Sequence, residues 1–440
     1  MKPETKIASP VTPPLAPARP IPAKSIAVLP FENLSDDKGN KYFADGMQDL
    51  ILTKLADIGQ LQVASRTSAA KYASHPDDVE HIAAELQVAN LLEGSVQKAG
   101  NQVLINVQLI DTRTDRHLWA QSYQRTLDNI FGVEGQVAEQ IATALKAHLT
   151  PLEASQLARA GTHNKEALDA YLPGGFYVEK FLRSQSRDDW AHSLALLKQA
   201  VELDPNYAEA WATLALTYAR FPEYRQEQRE AAQRALQLAP DNADAHRQMA
   251  FVLAQEGKPV QALAEAERAV ELAPSSMPIV AKLGSVQSTA GKLDASIATY
   301  RKVLSMPDGE PVVTFAVEPL VLERRYVEAR DLLRDHLVTQ PDDLVAVDEL
   351  VGVELAGWGD ISAARKTLQA ATTSPKDSAV IADAWFNVHW FARDYAIAEF
   401  LRKGMSASTR RPAKVPKPVK LRGGPLTTEE IEAAIAWGRE

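Results

Sequence analysis

The chain contains no cysteine in its 440 residues. That excludes structural disulfides, thiol catalysis and cysteine-ligated zinc, and it suits a reducing or an oxidising compartment equally. No stretch approaches the roughly 18 consecutive apolar residues that a membrane-spanning helix needs. The N-terminal segment, MKPETKIASPVTPPLAPARPIPAK, lacks the apolar core of a signal peptide. Phosphate-cradling loops of the G-x-x-x-x-G-K-[ST] and G-x-G-x-x-G types are missing, as is a G-x-S-x-G nucleophile elbow. The nine histidines form neither H-E-x-x-H nor any i, i+4 pair, and His75 and His81 read as surface residues. In FENLSDD, Glu32, Asp36 and Asp37 lie close together, but without the alternating oxygen ligands of a calcium loop, so Asp36 reads as a turn residue. Positive charge is in short supply, with 48 Lys and Arg against 57 Asp and Glu, which argues against a nucleic-acid-binding main body. The sequence thus offers no catalytic residue, no metal ligand and no cofactor site, and the expectation is a non-enzymatic protein.

What is present is a ladder of prolines. Pro205, Pro240, Pro274, Pro307, Pro341 and Pro375 follow one another at steps of 35, 34, 33, 34 and 34 residues. Each ends a helical stretch, as in AVELDP, ALQLAP and AVELAP. Proline donates no backbone hydrogen bond and clashes with the preceding turn, so it stops a helix and lets the chain reverse. Between the rungs, Met249, Ala250 and Leu253 share one face of a helix. Gly257 marks a turn, and Ala262, Ala266 and Ala269 form the stripe of a second helix. Small residues there let two helices approach closely.

This pattern resembles the tetratricopeptide repeat, whose period is about 34 residues. The resemblance covers residues 170–402. His246 stands where a large aromatic is usual, whereas the preceding unit keeps Trp211, with Leu214, Ala215, Tyr218 and Ala235. Leu283, Gly284, Gly291 and Tyr300 mark the fourth unit. The sixth, around AGWGDISAARKTL, is looser, and the seventh lacks its proline.

Upstream, SIAVLPF reads as a buried strand and YFADGMQDLILTKLADIG as a helix. QVASRTS reads as a second strand and DDVEHIAAELQ as a second helix. Three strands follow over residues 89–125, then a helix over about 129–149. Val103, Ile105, Val107 and Leu109 alternate with Leu104, Asn106 and Gln108, as in a half-buried strand. The crossover helix predicts a parallel first pair of strands, and the last three predict an antiparallel meander. KSIAVLPFENLSDD, YFADGMQDLILTKL, LLEGSV and INVQLIDTRTDRHLWAQSY resemble, in order, the TolB amino-terminal-like or FlgO-like domain. That resemblance implies a sensing or scaffolding part of a bacterial envelope or signalling protein. Such parts are often preceded by a transmembrane helix and a class III nucleotide cyclase, a winged-helix domain or a kinase. The family's YLRGRY is YLPGGFY here, so its arginine contact is missing, and Pro173-Gly174-Gly175 predicts a helix break.

The expected fold class is an α+β domain with a small mixed sheet, followed by an all-α tetratricopeptide solenoid. The expected organisation is a proline-rich linker (1–23), the α+β domain (24–150), the solenoid of six to seven helix pairs (151–402), a basic proline-rich linker (403–425) and a C-terminal helix (426–440). The basic stretch, Arg402 to Arg422, reads as a solvated linker or a docking arm for anionic lipid or nucleic acid. The last helix reads as a solenoid cap.

In the repeat family the first helix of each pair lines a groove. Carried over by position, the resemblance implies a groove holding Leu216, Arg220, Arg247, Phe251, Gln255, Lys282 and Ser285. Ala212 and Leu216 replace two residues of the Lys/Asn set that some members use on a peptide's terminal carboxylate, so that clamp is not expected. Phe251 beside Arg247 suits a protein or peptide partner with an apolar anchor and a carboxylate, although Phe251 packed between helices is the plainer alternative. Two further readings stand open: the sensory half of a cyclase or winged-helix regulator, and a small-molecule-binding α/β domain. The compartment is periplasmic if a helix upstream anchors the chain and cytoplasmic otherwise. The oligomeric state is left open.

Overall fold

The computed structural model describes residues 21–37, 40–72, 78–306, 312–371 and 379–392. The proline-rich segment to residue 20, His75, Pro307, Pro375, the rest of the seventh repeat, the basic stretch and the C-terminal segment lie outside them. The chain divides into two compact units, Met1–Glu179 and Lys180–Glu440.

In the first unit the strands are β1 (Ser25–Val28), β2 (Glu32–Asn33), β3 (Gln62–Val63), β4 (Asn90–Ala99), β5 (Gln102–Asp111) and β6 (Arg116–Thr126). They form a mixed sheet of order β3-β1-β4-β5-β6, with β2 beside β4. β1 pairs parallel with β3 and with β4, while β4, β5 and β6 run antiparallel. β1 is fully buried, as an apolar β-branched run in a parallel position must be. Helices α1 (Lys41–Ala56), α2 (Arg66–Ala69), α3 (Val79–Leu86), α4 (Val133–Ala144) and α5 (Pro151–Ala158) complete the unit with the start of α6 (Lys165–Ser184).

The alternation along β5 decides which face is covered. Val103, Ile105, Val107 and Leu109 are buried in a core shared with Phe43, Met47 and Ile51 of α1 and Val137 and Ile141 of α4. On the opposite face Ile82, Ala83 and Leu86 of α3 pack on Ala27, Leu29 and Leu91. α4 and α5 approach so closely that a Cβ at Gly135 would lie 1.9 Å from the Leu157 carbonyl oxygen.

Four local expectations are corrected. Only Gln62 and Val63 of QVASRTS are a strand, because Ser65 accepts a hydrogen bond from Ser68 N and starts α2. The polar loop after SIAVLPF begins later than expected, because Asn33 pairs with Val96. The helix expected to reach 149 ends at Ala144. A new one, α5, starts at Pro151 with a capping box of Thr150 and Glu153. Finally, α6 runs through Pro173 without a break. An interior proline costs a helix about 3 kcal/mol. Leu168 and Leu172 are buried in the first unit's core, and Leu172 fills the space over Gly46, so packing on the proline's N-terminal side offsets that cost.

The second unit is a tetratricopeptide-type solenoid. After the end of α6 come α7 (Arg187–Leu203), α8 (Ala208–Tyr218), α9 (Arg225–Leu238), α10 (Ala243–Gln255), α11 (Pro259–Leu272), α12 (Met277–Thr289), α13 (Leu293–Ser305), α14 (Val313–Leu322), α15 (Tyr326–Thr339), α16 (Leu344–Trp358), α17 (Ile361–Ala371) and α18 (Ala379–Phe391). α7, α9 and α11 each stop two residues before a rung of the proline ladder. Ala262, Ala266 and Ala269 are buried, as are Met249, Ala250 and Leu253 across from them. Gly257, Gly291 and Gly359 close successive first helices at positive φ, a conformation that costs a side chain energy. At the corresponding turn after α14 the residue is Arg324, at φ 56°.

His246 keeps the role of the aromatic it replaces. Trp211 donates its indole N–H to the Pro205 carbonyl at 3.1 Å. One repeat later His246 Nε2 meets the Pro240 carbonyl at 2.9 Å, and its Nδ1 meets Glu265 at 2.6 Å. Burial pushes the imidazole towards neutrality, but Glu265 and the Pro240 carbonyl each accept a hydrogen bond from a ring N–H, and the net shift is upward.

Two outcomes follow. Gly135→Ala should lower the denaturant midpoint by overpacking worth about 1–3 kcal/mol, and an unchanged midpoint would show that α4 and α5 are not in contact. The folded value for His246 lies above its unfolded value, so its contribution is complete below about pH 6.5 and is lost as pH rises through the folded value. Unfolding measured from pH 5 to 9 should show a loss of stability with rising pH that His246→Trp abolishes. Identical profiles for the two proteins would contradict the imidazolium contact.

Candidate functional site

Successive first helices pack on one another, α8 on α10 and α10 on α12, as do α14 on α16 and α16 on α18. No second helix packs comparably on the next second helix among the described residues. The first helices therefore stack side by side along one side of the solenoid.

Four of the seven expected groove residues form one cluster. Lys282 on α12 sets its Nζ over the Phe251 ring of α10, 4.3 Å from the centroid. Arg247, one turn before Phe251, acts on Lys282 electrostatically, and so does Arg220, just past the end of α8. Asp244 holds Arg247, with Nη2 at 2.8 Å and Nε at 2.9 Å from the same carboxylate oxygen. Lys282 and Arg220 make no ion pair with a described residue, so the cluster carries three cations against one carboxylate. Partial burial, then the charges of Arg247 and Arg220, push the Lys282 ammonium down to about 8.

The other three stand differently. Leu216 is half-buried on α8, one repeat before Phe251. Gln255 is exposed at the end of α10. Ser285 is half-buried and shares a hydrogen bond with Tyr300 of α13, so its hydroxyl is engaged with the second helix of its own repeat. Phe251 lies on α10. It is half-exposed, with a cation on its face, a pairing worth about 0.5–2 kcal/mol depending on desolvation.

Sequence reasoning missed one neighbour. Gln248, beside Arg247, is buried, and its Nε2 meets no hydrogen-bond partner. The signal available was a polar residue at an otherwise apolar position of α10. In the first unit, His81 is exposed and lies 3.7 Å from Glu85. Among the described residues no group of three His, Asp or Glu side chains could hold a metal ion. No described helix is long and apolar enough to cross a membrane.

Comparisons place parts of the chain beside known proteins. The family described as HilA/YgeH-like transcriptional regulator, second domain, matches residues 22–139. A protein described as putative adenylate cyclase 3 of Rhizobium meliloti is 37% identical over 204 residues, which is 46% of this chain and 33% of that protein. The chain thus spans about a third of the length of that relative. Among solved structures, a tetratricopeptide repeat protein from Parabacteroides merdae overlaps at a TM-score of 0.42 and 12% identity, covering 61% of this chain and 99% of that one. PilF of Pseudomonas aeruginosa overlaps at 0.37 and 15% identity, covering 46% and 92%.

The lowered folded value of Lys282 sets a sign. Between about pH 8 and 10.5 the folded chain binds fewer protons at this site than the unfolded chain, so stability rises with pH across that window. Below it the cost of the charged ammonium is complete. Lys282→Met should therefore stabilise the chain at pH 7, on the order of 1 kcal/mol, with the gain fading towards pH 10.5. Chemical unfolding at several pH values reads this, and a gain that does not vary with pH would contradict it.

Proposed function

We propose that this chain is a non-catalytic docking module. The solenoid groove takes a segment of another protein that carries an acidic side chain or terminus next to an apolar one. The observation that carries this reading is the cluster of Arg220, Arg247, Lys282 and Phe251. Its cations outnumber the carboxylates that face them, and its aromatic residue is partly exposed. A carboxylate between Arg247 and Lys282 would relieve the repulsion that depresses the lysine, and an apolar side chain would extend over Phe251. The first unit, in this reading, is a TolB amino-terminal-like scaffold or sensing domain of a bacterial envelope or signalling system. The domain limits of 24–150 and 151–402 belong to the same proposal.

A second reading is favoured by one observation, the 204-residue likeness to the Rhizobium protein described as an adenylate cyclase. Here the chain is the sensory half of a nucleotide cyclase, and docking in the groove governs its output. The match of residues 22–139 to a regulator domain supports the related version with a winged-helix output.

The test is a selection of displayed random peptides on the intact chain, followed by affinity measurement. Peptides pairing Asp or Glu with a large apolar residue should be enriched. Arg247→Gln and Phe251→Ala should each weaken them by about tenfold, the scale of one charge-assisted or aromatic contact. Raising the salt concentration should weaken binding to the parent chain more than to Arg247→Gln. Equal affinities for parent and variants would remove the groove as the docking site.

A further inference from the structure

Several described lysines have an oxygen partner for the amine, and Lys282 has an aromatic face instead. Lys41, Lys71, Lys98, Lys180 and Lys258 each reach a carboxylate, and Lys54 donates to two carbonyl oxygens. Lys282 meets the face of Phe251 and faces the positive charges of Arg247 and Arg220. The carboxylate of α10 on that side, Asp244, is taken by Arg247. On α13, Tyr300 is engaged with Ser285 and is pushed well above the ordinary phenol range, chiefly by burial. Glu318 of α14 acts on Tyr300 rather than on Lys282.

We propose that Lys282 is a site of covalent acylation by small acyl phosphates, with Arg220 and Arg247 capturing the donor's phosphate. Guanidinium groups bind phosphate through several parallel hydrogen bonds, and a half-buried cluster short of carboxylates favours an incoming dianion. A lysine beside other cations keeps more of its amine unprotonated and hence nucleophilic. The downward shift of Lys282 to about 8 agrees with that. In the step, the lone pair of the unprotonated Nζ attacks the acyl carbon and a C–N bond forms. The bond from that carbon to the phosphate oxygen breaks, and inorganic phosphate leaves with the bonding pair. The surplus amine proton passes to the departing phosphate or to water. The arginines stabilise the charge that develops on the leaving group.

The product is an uncharged amide. It removes one of the three cations from the groove and ends the contact with Phe251 as a cation–π pair. The consequence for docking, weaker capture of acidic segments, rests on the function proposed above. The chemistry at Lys282 does not.

The experiment treats the intact chain with acetyl phosphate at pH 7.5 and follows acetylation of each lysine by peptide mass spectrometry. Lys302 and Lys366, both exposed, serve as internal references. Lys282 should react about tenfold faster than either, as expected of an activated amine. Arg247→Gln should remove most of that preference, and added inorganic phosphate should compete with it. An uncharged donor, N-hydroxysuccinimidyl acetate, should show a smaller preference, because it gives the arginines no phosphate to hold. Acetylation of Lys282 no faster than the references overturns the proposal. So does a preference that survives both Arg247→Gln and competing phosphate. Peptide affinity of the acetylated chain is read separately. Selective acetylation with unchanged affinity would leave the modification standing and count against the docking site.

Discussion

Everything in the second unit depends on how closely its helices approach. Alanine at 250, 262, 266 and 269 leaves so little side chain between neighbouring backbones that each helix pair nests against the next. Pro205, Pro240, Pro274 and Pro341 each follow the end of a second helix by two residues, so the nesting there repeats in register. This close packing brings α8, α10 and α12 side by side. It sets residues from separate repeats, Phe251 and Lys282, 4.3 Å apart. Looser helices would leave the same side chains in solvent with no common site.

The electrostatics of the groove follow from that placement. Three cations, Arg247 on α10, Lys282 on α12 and Arg220 just past α8, are drawn together by backbone packing, not by attraction to one another. The arrangement is costly, and the depressed Lys282 records the cost. A stable fold tolerates such a cluster because the surrounding apolar burial over-determines it. Local strain held in place by packing is the usual signature of a site that works on something else. Several buried polar groups elsewhere in the repeats are paired. Glu354, buried on α16, accepts from Arg334 at 2.9 Å and from Thr367 at 3.0 Å. His336, also buried, meets Asp343 at 2.8 Å.

Much of this was legible in the sequence, for local reasons. The ladder, the apolar stripes and the alternation along β5 are all short-range patterns, and the repeat helices and β5 that they predicted within the described residues are present. What escaped depended on distant partners. Asn33 extends only because Val96 lies beside it. α6 passes through Pro173 because Leu168 and Leu172 are anchored in a core built mostly from residues far earlier in the chain. His246 looked like a departure from the repeat, yet its ring reproduces the bond that Trp211 makes to a proline carbonyl. In the groove, the identities of Arg220, Arg247, Phe251 and Lys282 could be read from position. That Lys282 would lie on Phe251 could not, nor that Asp244 would be spent on Arg247, since both depend on rotamers fixed by packing.

The most direct test of the docking account is photo-crosslinking. A peptide selected on the intact chain would carry a benzophenone next to its acidic residue, and the crosslinked sites would be mapped by mass spectrometry. Crosslinks concentrated on α10 and α12 around Phe251 and Lys282 are the predicted result. Crosslinks on α9, α11 and α13, or on residues 21–179, would contradict it and move the binding site out of the groove.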